Sequence, residues 1–441
     1  MKQKKQRLPS SIFKVATADI RRSYYSDKYF QRTKQILTTD NFDKDISFQF
    51  FLRDAGMVCG LDESLAILKK CTGYYSDKDA ATKLYQGLTF ARKQIAEYSD
   101  VNDFQGLEAA LKMEVQTKMH LERLWVDMYH TLDVTALHDG DMVKRDEPIK
   151  VIKGNPRYYA HLETVMLGVI SRASATASAV NEVVTAANGK SILFFPARFD
   201  HYRVQATDGY AAMLGGAYGV STDSNADYWG SDALGTIPHL LIGCYGGDTA
   251  LAAQKFDEHM PDHINRIVLV DWDNDCINTT LDVVFSMIKA KPVARLGDRV
   301  AAIKNQGEWF IGPGKGKLWG VRFDTSGSNI DKSIEHHSAT TFGVCPDLVF
   351  KARRIFDELG LKELKIVVSG GFDAKKIELF EKMNAPVDVY GVGSSLLKKK
   401  IDVTADICEL AGKPCSKVGR GKMDWSRLSV VQEINREEVQ A

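Results

Sequence analysis

Three apolar, β-branched stretches decide the fold, and each ends in acidic or small residues: RIVLVD (266–271), LWGVRFD (318–324) and LKIVVSGG (364–371). Two further runs, SILFF (191–195) and VDVYGVGSS (387–395), have the same character, and helical segments lie between them. Apolar strands that alternate with helices are typical of a parallel sheet covered by helices. The sequence therefore predicts an α/β fold with its ligand chemistry at the carboxyl ends of these strands.

The chain before and after this region predicts a second domain. ISFQFFLRDA (46–55) predicts a strand, and residues 137–154 alternate apolar and polar side chains around turns, as short strands do. We therefore expect an N-terminal α+β domain at residues 1–156, completed by residues 400–441, and an α/β domain at residues 157–399.

Composition excludes several classes of protein. The 441 residues include 58 Lys and Arg against 57 Asp and Glu, and 44% of them are hydrophobic, which excludes disorder for most of the chain. The net charge of +1 gives no reason to expect nucleic acid or an anionic membrane as a partner. No run approaches the ~20 apolar residues of a membrane span. The seven cysteines are scattered without CxxC pairs, so we expect reduced thiols in a cytoplasmic protein.

Two glycine-rich turns follow successive predicted strands. Such turns direct backbone N–H groups at a phosphate, although glycines also simply permit tight strand-to-helix turns, and the two interpretations have similar weight. The residues of these turns are Ser369, Gly370, Gly371, Gly391, Gly393 and Ser394. By contrast, the glycines of the charged segment 290–318, including GPGKGK, lack P-loop spacing and predict a surface excursion.

Carboxylates and one histidine are further candidates for the site. Asp271 and Asp324 end two predicted strands, where they suit Mg²⁺ or a ribose diol. The alternative is that each caps the helix that follows it. VLVDWDND also resembles the acidic pair of type I phosphoribosyltransferases, but the glycine-rich turn that should follow is missing. His239, in LGTIPHLL (234–241), is either a catalytic histidine or a hydrogen-bonded core histidine.

An ordered series of motifs, from about Asp19 to about Gly419, carries a family resemblance. The motifs are DIRRSYYSDKYFQRT, LETVMLGVISRAS, GYAAMLGGAYGVS, GTIPH, VLVDWD, VRFDTS, VVSGGFD, YGVGSSL and TADICELAGKPCSKVGR. In this order they resemble the nicotinate phosphoribosyltransferases of the type II phosphoribosyltransferase fold, especially the archaeal-type branch. The resemblance implies an irregular α/β barrel plus an open-faced α+β sandwich formed by N- and C-terminal segments.

The resemblance also implies a reaction. Nicotinate attacks C1 of phosphoribosyl pyrophosphate, which gives nicotinate mononucleotide and pyrophosphate in NAD salvage. ATP hydrolysis is coupled to this transfer through a phosphohistidine, Mg²⁺ is the cofactor, and the active unit is a homodimer with shared active sites. Nucleic acid and membrane are not expected as partners.

Individual roles follow only from matching motifs. His239 matches the phosphorylated histidine, Arg198 the arginine that holds the nicotinate carboxylate, and Tyr29 the aromatic residue that stacks on the pyridine from the partner subunit. The remaining matches are ribose or metal positions (Asp271, Arg322, Asp324) and the 5′-phosphate cradle (Ser369, Gly370, Gly371, Gly391, Gly393, Ser394).

The chain departs from the family at two points. Many relatives have a second arginine where Phe199 stands, so anion binding is expected to be weaker or shared with Arg203. The common LDSGD string is FDTSGSN here, which leaves ribose or metal contacts beyond Asp324 undefined.

Three alternative functions stay open. Nicotinamide phosphoribosyltransferase has an aspartate where this chain has Ser221, so no carboxylate repels nicotinate, which favours the acid. Quinolinate phosphoribosyltransferase shares the fold but needs more basic residues and no coupled histidine. The third alternative is a non-catalytic phosphate- or nucleotide-binding barrel, which the retained His239, Arg198 and Asp324 disfavour.

Overall fold

The computed structural model describes residues 6–228, 230, 232–288, 296–336, 338 and 340–431. The chain forms two compact units, one made of the residues up to Ser174 with those from Lys400 onward, and the other of Ala175–Lys399. In the described ranges, no helix is both long enough and apolar enough to cross a membrane.

The described chain contains the following helices and strands. The helices are α1 (Thr17–Arg21), α2 (Lys28–Thr39), α3 (Leu61–Cys71), α4 (Lys78–Asp100), α5 (Phe104–Leu124), α6 (Glu163–Ala186), α7 (Gln205–Leu214), α8 (Asp223–Ala226), α9 (His239–Cys244), α10 (Thr249–His259), α11 (Cys276–Met287), α12 (Leu296–Gln306), α13 (Pro346–Glu358) and α14 (Ala374–Lys382). The strands are β1 (Ile46–Leu52), β2 (Gly56–Met57), β3 (Gly73–Tyr75), β4 (Trp125–Asp127), β5 (Asp133–Ala136), β6 (Met142–Val143), β7 (Pro148–Gly154), β8 (Ser191–Phe194), β9 (Gly219–Val220), β10 (Ile267–Leu269), β11 (Gly320–Phe323), β12 (Lys365–Val368), β13 (Val389–Val392), β14 (Val403–Leu410), β15 (Lys413–Pro414) and β16 (Ser429–Val430).

The first unit is built on a mostly antiparallel sheet with the order β15-β14-β1-β7-β5-β16. Every residue of β1 is buried, since β14 pairs with it on one side and β7 on the other. Because β14 comes from the C-terminal segment, both ends of the chain contribute to one sheet, as the sandwich prediction requires. Helices α4 and α5 form a hairpin in this unit, and α5 begins where Asp103 accepts a hydrogen bond from Gly106 N.

The second unit contains the predicted parallel sheet, with the order β10-β11-β12-β13-β8-β9. Side chains that alternate along β12 enter two different apolar clusters: Ile366 and Val368 belong to one, and Val367 to the other. Both faces of the sheet are therefore covered, which explains why the strands are continuously apolar. The fold prediction is confirmed, and the parallel sheet is curled as half of a barrel.

In the segment 290–318, where we predict a surface excursion, residues 312–317 are exposed or half-buried, but the described part also contains a helix and core positions that the prediction does not include. Residues 296–306 form α12, and Ile303 and Leu318 are only 1% exposed and belong to the main core cluster of the second unit. Residues 290–295 lie outside the described residues. The charged, glycine-rich composition of the segment concealed these apolar anchors.

Candidate active site

A cavity of about 740 Å³ lies where strands of the parallel sheet end. Residues that follow β8, β9, β11, β12 and β13 line it, because parallel strands bring their carboxyl ends to one edge. The cavity brings together most of the predicted site residues: Arg198, Ser221, His239, Arg322, Asp324, Ser369, Gly370, Gly371, Gly391, Gly393 and Ser394.

Arg322 is the feature of this cavity that most needs an explanation. Its Nε is buried without a hydrogen-bond partner, and no carboxylate of the described chain lies within ion-pair distance of its guanidinium. Burial lowers the pKa of Arg322, and the nearby Asp324 and Asp271 offset this only in part. A buried donor without a partner is energetically costly, so the cavity is suited to an anion that would complete the contacts of Arg322.

The glycine turns bring the backbone close to other groups. Gly370 and Gly371 both have left-handed φ values, +85° and +71°. A Cβ on Gly370 would lie 3.2 Å from Asp324 Oδ1, and one on Gly391 would lie 2.8 Å from the Phe195 ring. Close packing and backbone conformation therefore suffice to explain why glycine occupies these positions. Their role as a phosphate cradle stays a prediction.

The carboxylates do not cap the helices that follow them. Asp275, not Asp271, accepts the hydrogen bond from Asn278 N at the start of α11. Asp324 instead accepts a hydrogen bond of 2.7 Å from the Ser369 hydroxyl. Helix capping is therefore excluded for both carboxylates; Asp324 lines the cavity, whereas Asp271 is not among its lining residues.

His239 and Asp271 form a pair. His239 is the first residue of α9, its Nε2 lies 3.0 Å from Asp271 Oδ1, and its side chain is 47% exposed while that of Asp271 is 8% exposed. Burial raises the pKa of Asp271, and the contact with His239 opposes this rise. When Asp271 is ionised, Nε2–H donates to it and Nδ1 retains a lone pair. The interpretation of His239 as a core histidine is therefore wrong.

Phe199 stands where the family resemblance implies a second arginine. The Arg198 guanidinium lies 5.1 Å from the centroid of the Phe199 ring. Phe199 also packs against Gly393, where an added Cβ would approach the ring to 3.1 Å. Arg203 is exposed, its Nε donates to Tyr202, and it does not line the cavity. The geometry therefore leaves Arg198 as the cation beside Phe199.

Tyr29 is not among the residues that line this cavity. It lies on α2 in the first unit, is 60% exposed, and bonds through its hydroxyl to Asp27 Oδ2 at 3.1 Å. Tyr24 and Tyr25 nearby are also exposed. An exposed aromatic group of this kind is suited to a partner surface, and the role of Tyr29 stays a prediction.

Sequence reasoning missed other residues that line the cavity. Phe195 lies 5.8 Å from the Arg322 guanidinium and beside Gly391, and Lys398 adds a further cation. Phe195 ends the predicted strand SILFF (191–195), and Lys398 comes two positions after the motif YGVGSSL. Proximity to a strand end is the signal that would have found them.

Sequence comparison finds relatives with one shared name. No family model matches the chain. It is 26% identical over 295 residues, or 65% of its length, to a nicotinate phosphoribosyltransferase of Mycobacterium tuberculosis. It is also 26% identical over 266 residues, or 59% of its length, to one of Bacillus subtilis. These alignments cover 55% and 45% of the two relatives, so the chain matches only about half of each.

Solved structures share the fold. Nicotinate-nucleotide pyrophosphorylase from Pyrococcus furiosus matches with a TM-score of 0.64 and 24% identity over 96% of this chain and 86% of that one. Human nicotinic acid phosphoribosyltransferase matches with a TM-score of 0.57 and 17% identity, over 90% and 77% of the two chains. The chain thus has the type II phosphoribosyltransferase fold, and its resemblance to the nicotinate phosphoribosyltransferase family is confirmed.

Proposed function

We propose that this protein is a nicotinate phosphoribosyltransferase of NAD salvage, which forms nicotinate mononucleotide and pyrophosphate from nicotinate and phosphoribosyl pyrophosphate. The observation that carries the proposal is the buried Arg322, with an Nε that has no partner, at the strand-end cavity. Phosphoribosyl pyrophosphate is a strongly anionic substrate and would supply the missing acceptors. The sequence relatives are named nicotinate phosphoribosyltransferases, which supports nicotinate as the other substrate.

Selectivity for nicotinate over nicotinamide would depend on the charge of the nicotinate carboxylate. Arg198 is the cation that would pair with the nicotinate carboxylate, and a guanidinium matches a carboxylate with two parallel hydrogen bonds. Ser221, which also lines the cavity, adds no carboxylate that would repel the substrate. Phe199 beneath Arg198 restricts the orientations of the guanidinium and so favours a defined position of the ring.

Transfer in this site is mainly a matter of position and electrostatics. Positive charge develops on the ribose as pyrophosphate leaves, and Asp324, which lines the cavity, would stabilise it. The hydroxyl of Ser369 holds one Asp324 oxygen and so fixes the carboxylate. Arg198 holds the pyridine so that its ring nitrogen faces C1, which needs no activation of the nitrogen.

ATP coupling would use the pair of His239 and Asp271. The hydrogen bond to Asp271 directs Nε2–H away from the incoming phosphoryl group and leaves Nδ1 as the nucleophile. The exposure of the imidazole allows ATP to approach, and Asp271 stabilises the charge that develops on the ring.

Mg²⁺ fits the acidic groups of the site. The charge of Asp324 is one of the causes that raise the pKa of Asp271, so a cation bound near the two carboxylates would relieve their repulsion. Mg²⁺ is commonly held by one or two carboxylates together with substrate phosphates. When bound by Asp271 and Asp324, it would neutralise charge on the leaving pyrophosphate.

The proposed active unit is a cytoplasmic homodimer. Tyr29 would complete the pyridine pocket of the neighbouring subunit. This role would explain why a polar helix carries this exposed aromatic side chain. All seven cysteines are free, which suits a reducing compartment.

A pyrophosphate-release assay tests the proposal. The full-length protein is given phosphoribosyl pyrophosphate and ATP with nicotinate, nicotinamide or quinolinate in parallel. We expect release with nicotinate that exceeds release with the other two, and loss of this preference in Arg198→Ala. Preference for nicotinamide or quinolinate would replace the proposed substrate, and no release with any pyridine would favour the non-catalytic barrel.

A further inference from the structure

The first unit contains a second cavity, of about 580 Å³, that the proposed reaction does not use. It lies among α2, α4, the antiparallel pair of strands β3 and β4, and the turn around Arg157 and Tyr158. Small-molecule sites in proteins commonly have volumes of roughly 300–1,000 Å³, so the cavity has the size of a ligand site.

The lining of this cavity is cationic and aromatic. None of the described residues that line it is Asp or Glu. The cations among them are Arg21, Arg22, Lys34, Lys78 and Arg157, and the aromatic residues are Tyr74, Tyr75, Tyr85, Trp125 and Tyr158. Positive charge combined with flat apolar surface is complementary to a ligand with an anionic group and an aromatic ring.

Two of the cations already have carboxylate partners outside the lining. Arg21 pairs with Glu122 at 2.7 Å, and Arg22 pairs with Asp19 at 2.8 Å. These pairs compensate part of the charge of both arginines, although the Nε of Arg22 is buried without a hydrogen-bond partner. The ligand argument therefore depends on the other cations.

Lys34 and Arg157 lack such partners within the described chain. Lys34 Nζ donates to the Gly73 carbonyl at 3.1 Å and lies 3.2 Å from His161 Nδ1, which are neutral groups. Burial lowers the pKa of Lys34 to about 7, because no anion compensates its charge. Arg157 bonds to the Tyr158 hydroxyl, and its Nε is buried without a partner.

The aromatic residues form one wall beside these cations. The rings of Tyr74 and Tyr158 stack at 5.9 Å with an interplanar angle of 28°. The Arg157 guanidinium lies 4.7 Å from the Tyr158 ring, and Lys34 Nζ lies 6.0 Å from the Trp125 ring. An anion bound by Arg157 and Lys34 would therefore place an attached ring next to these aromatic side chains.

We propose that this cavity is a second ligand site, which binds a nucleoside monophosphate through its phosphate at Lys34 and Arg157 and its base beside Tyr74, Tyr158 and Trp125. The site is contained in the first unit and takes no residue from the strand-end cavity. It does not depend on the transferase reaction being correct.

Tryptophan fluorescence of the full-length protein tests the proposal, with AMP, adenosine and inorganic phosphate as probes. The signal is the part of the AMP response that disappears in Trp125→Phe, since other tryptophans lie elsewhere in the chain. We expect AMP to bind at least tenfold more tightly than either adenosine or phosphate alone. Equal affinities for AMP and inorganic phosphate would overturn the proposal.

Variants that remove a positive charge from the cavity provide a second test of AMP binding. Loss of a charged hydrogen bond corresponds to a rise in the AMP dissociation constant of about 10- to 100-fold in Arg157→Gln. Arg145→Gln is the matched control, because Arg145 is exposed in the same unit and does not line the cavity. Arg145→Gln should leave the dissociation constant unchanged.

Lys78→Gln keeps the test decisive if Arg157→Gln fails to fold. Lys78 lines the cavity with an exposed side chain, so its removal disturbs no packing. We expect a smaller rise in the dissociation constant, about 1.4- to fivefold, as for a solvent-exposed ionic contact. If every folded charge variant binds AMP like the wild type, the assignment of this cavity is wrong.

Discussion

Replacement of Arg322 by methionine should stabilise the protein and weaken its binding of pyrophosphate at the same time. Methionine keeps a long, unbranched side chain but removes the buried guanidinium. The buried Nε of Arg322 has no hydrogen-bond partner, and burial lowers the pKa of the group despite the attraction of Asp324 and Asp271. The folded state without ligand therefore carries a penalty that Arg322→Met removes.

The size of the gain follows from the unpaired donor. An unsatisfied buried polar group costs about 1–3 kcal/mol. In a unit of this size each kcal/mol corresponds to about 2–4 °C in Tm, so the expected rise is roughly 2–12 °C. Attraction by the two carboxylates would bring the gain toward the lower end of this range.

Arg266 is the matched control, because it is also buried in the second unit but fully bonded. Its Nε pairs with Asp257 at 2.8 Å, and its other nitrogens donate to backbone carbonyls that include those of Pro261 and Met260. Removal of one member of a buried pair costs about 3–5 kcal/mol, so Arg266→Met should lower Tm clearly.

Thermal unfolding with and without pyrophosphate measures both effects. Pyrophosphate should raise the Tm of the wild type, and Arg322→Met should need about 10- to 100-fold more pyrophosphate for the same rise. If Arg322→Met instead lowers Tm as Arg266→Met does, Arg322 is a structural cation and the argument for an anion site fails.

Four further predictions address the other residues. His239→Ala should lose the acid-labile phosphate formed with ATP but retain some basal transfer; equal labelling of the variant and the wild type would contradict the assignment. Arg198→Ala should raise the nicotinate KM by about 10- to 100-fold, with a smaller change for nicotinamide, and an unchanged KM would transfer the role to another cation. At a nicotinate concentration far below the raised KM of Arg198→Ala, mixed Tyr29→Ala and Arg198→Ala chains should recover at most about a quarter of wild-type activity, since half of the random dimers have one intact site; no recovery despite subunit exchange would exclude a shared site. Burial lowers the pKa of Lys150 to about 7, so the unfolding free energy of the wild type should rise by roughly 1.4 kcal/mol per pH unit between about pH 7 and pH 10. Lys150→Met should therefore stabilise the protein more at pH 6 than at pH 9, and a gain that does not depend on pH would refute the buried charge.

Much of the second unit could be predicted because apolar strands and strand-end residues leave local signals. The runs that contain Asp271 and Asp324 are β-branched up to the point where the chemistry begins, so the residues that share one edge of the sheet follow from topology. In segment 290–318 the helix and its core contacts were missed for the opposite reason. Its buried positions, such as Ile303, are few and lie among charged residues, so the local composition outweighed them.

The partnerships of the site could not be predicted, because they depend on separations in space. Nothing in the sequence indicates that His239 bonds to Asp271 or that Ser369 bonds to Asp324, since 32 and 45 positions separate the members of these pairs. The cavity of the first unit was missed for the same reason. Its cations come from several separate segments, and no short motif contains more than two of them.

Whether a buried arginine in this protein stabilises the fold or binds a ligand depends on the hydrogen-bond acceptors around it. Arg266 follows a loop whose carbonyls and Asp257 satisfy its guanidinium, so its charge is used within the fold. Arg322 and Arg157 are also largely removed from water, but each keeps an Nε without a partner beside a cavity. A fold has no energetic reason to keep such a group unless a ligand compensates it for part of the time. The same physical criterion thus separates a structural arginine from ligand-binding candidates: it selects Arg322 in the second unit and Arg157 in the first, where the Nε of Arg22 beside the same cavity is also buried without a partner.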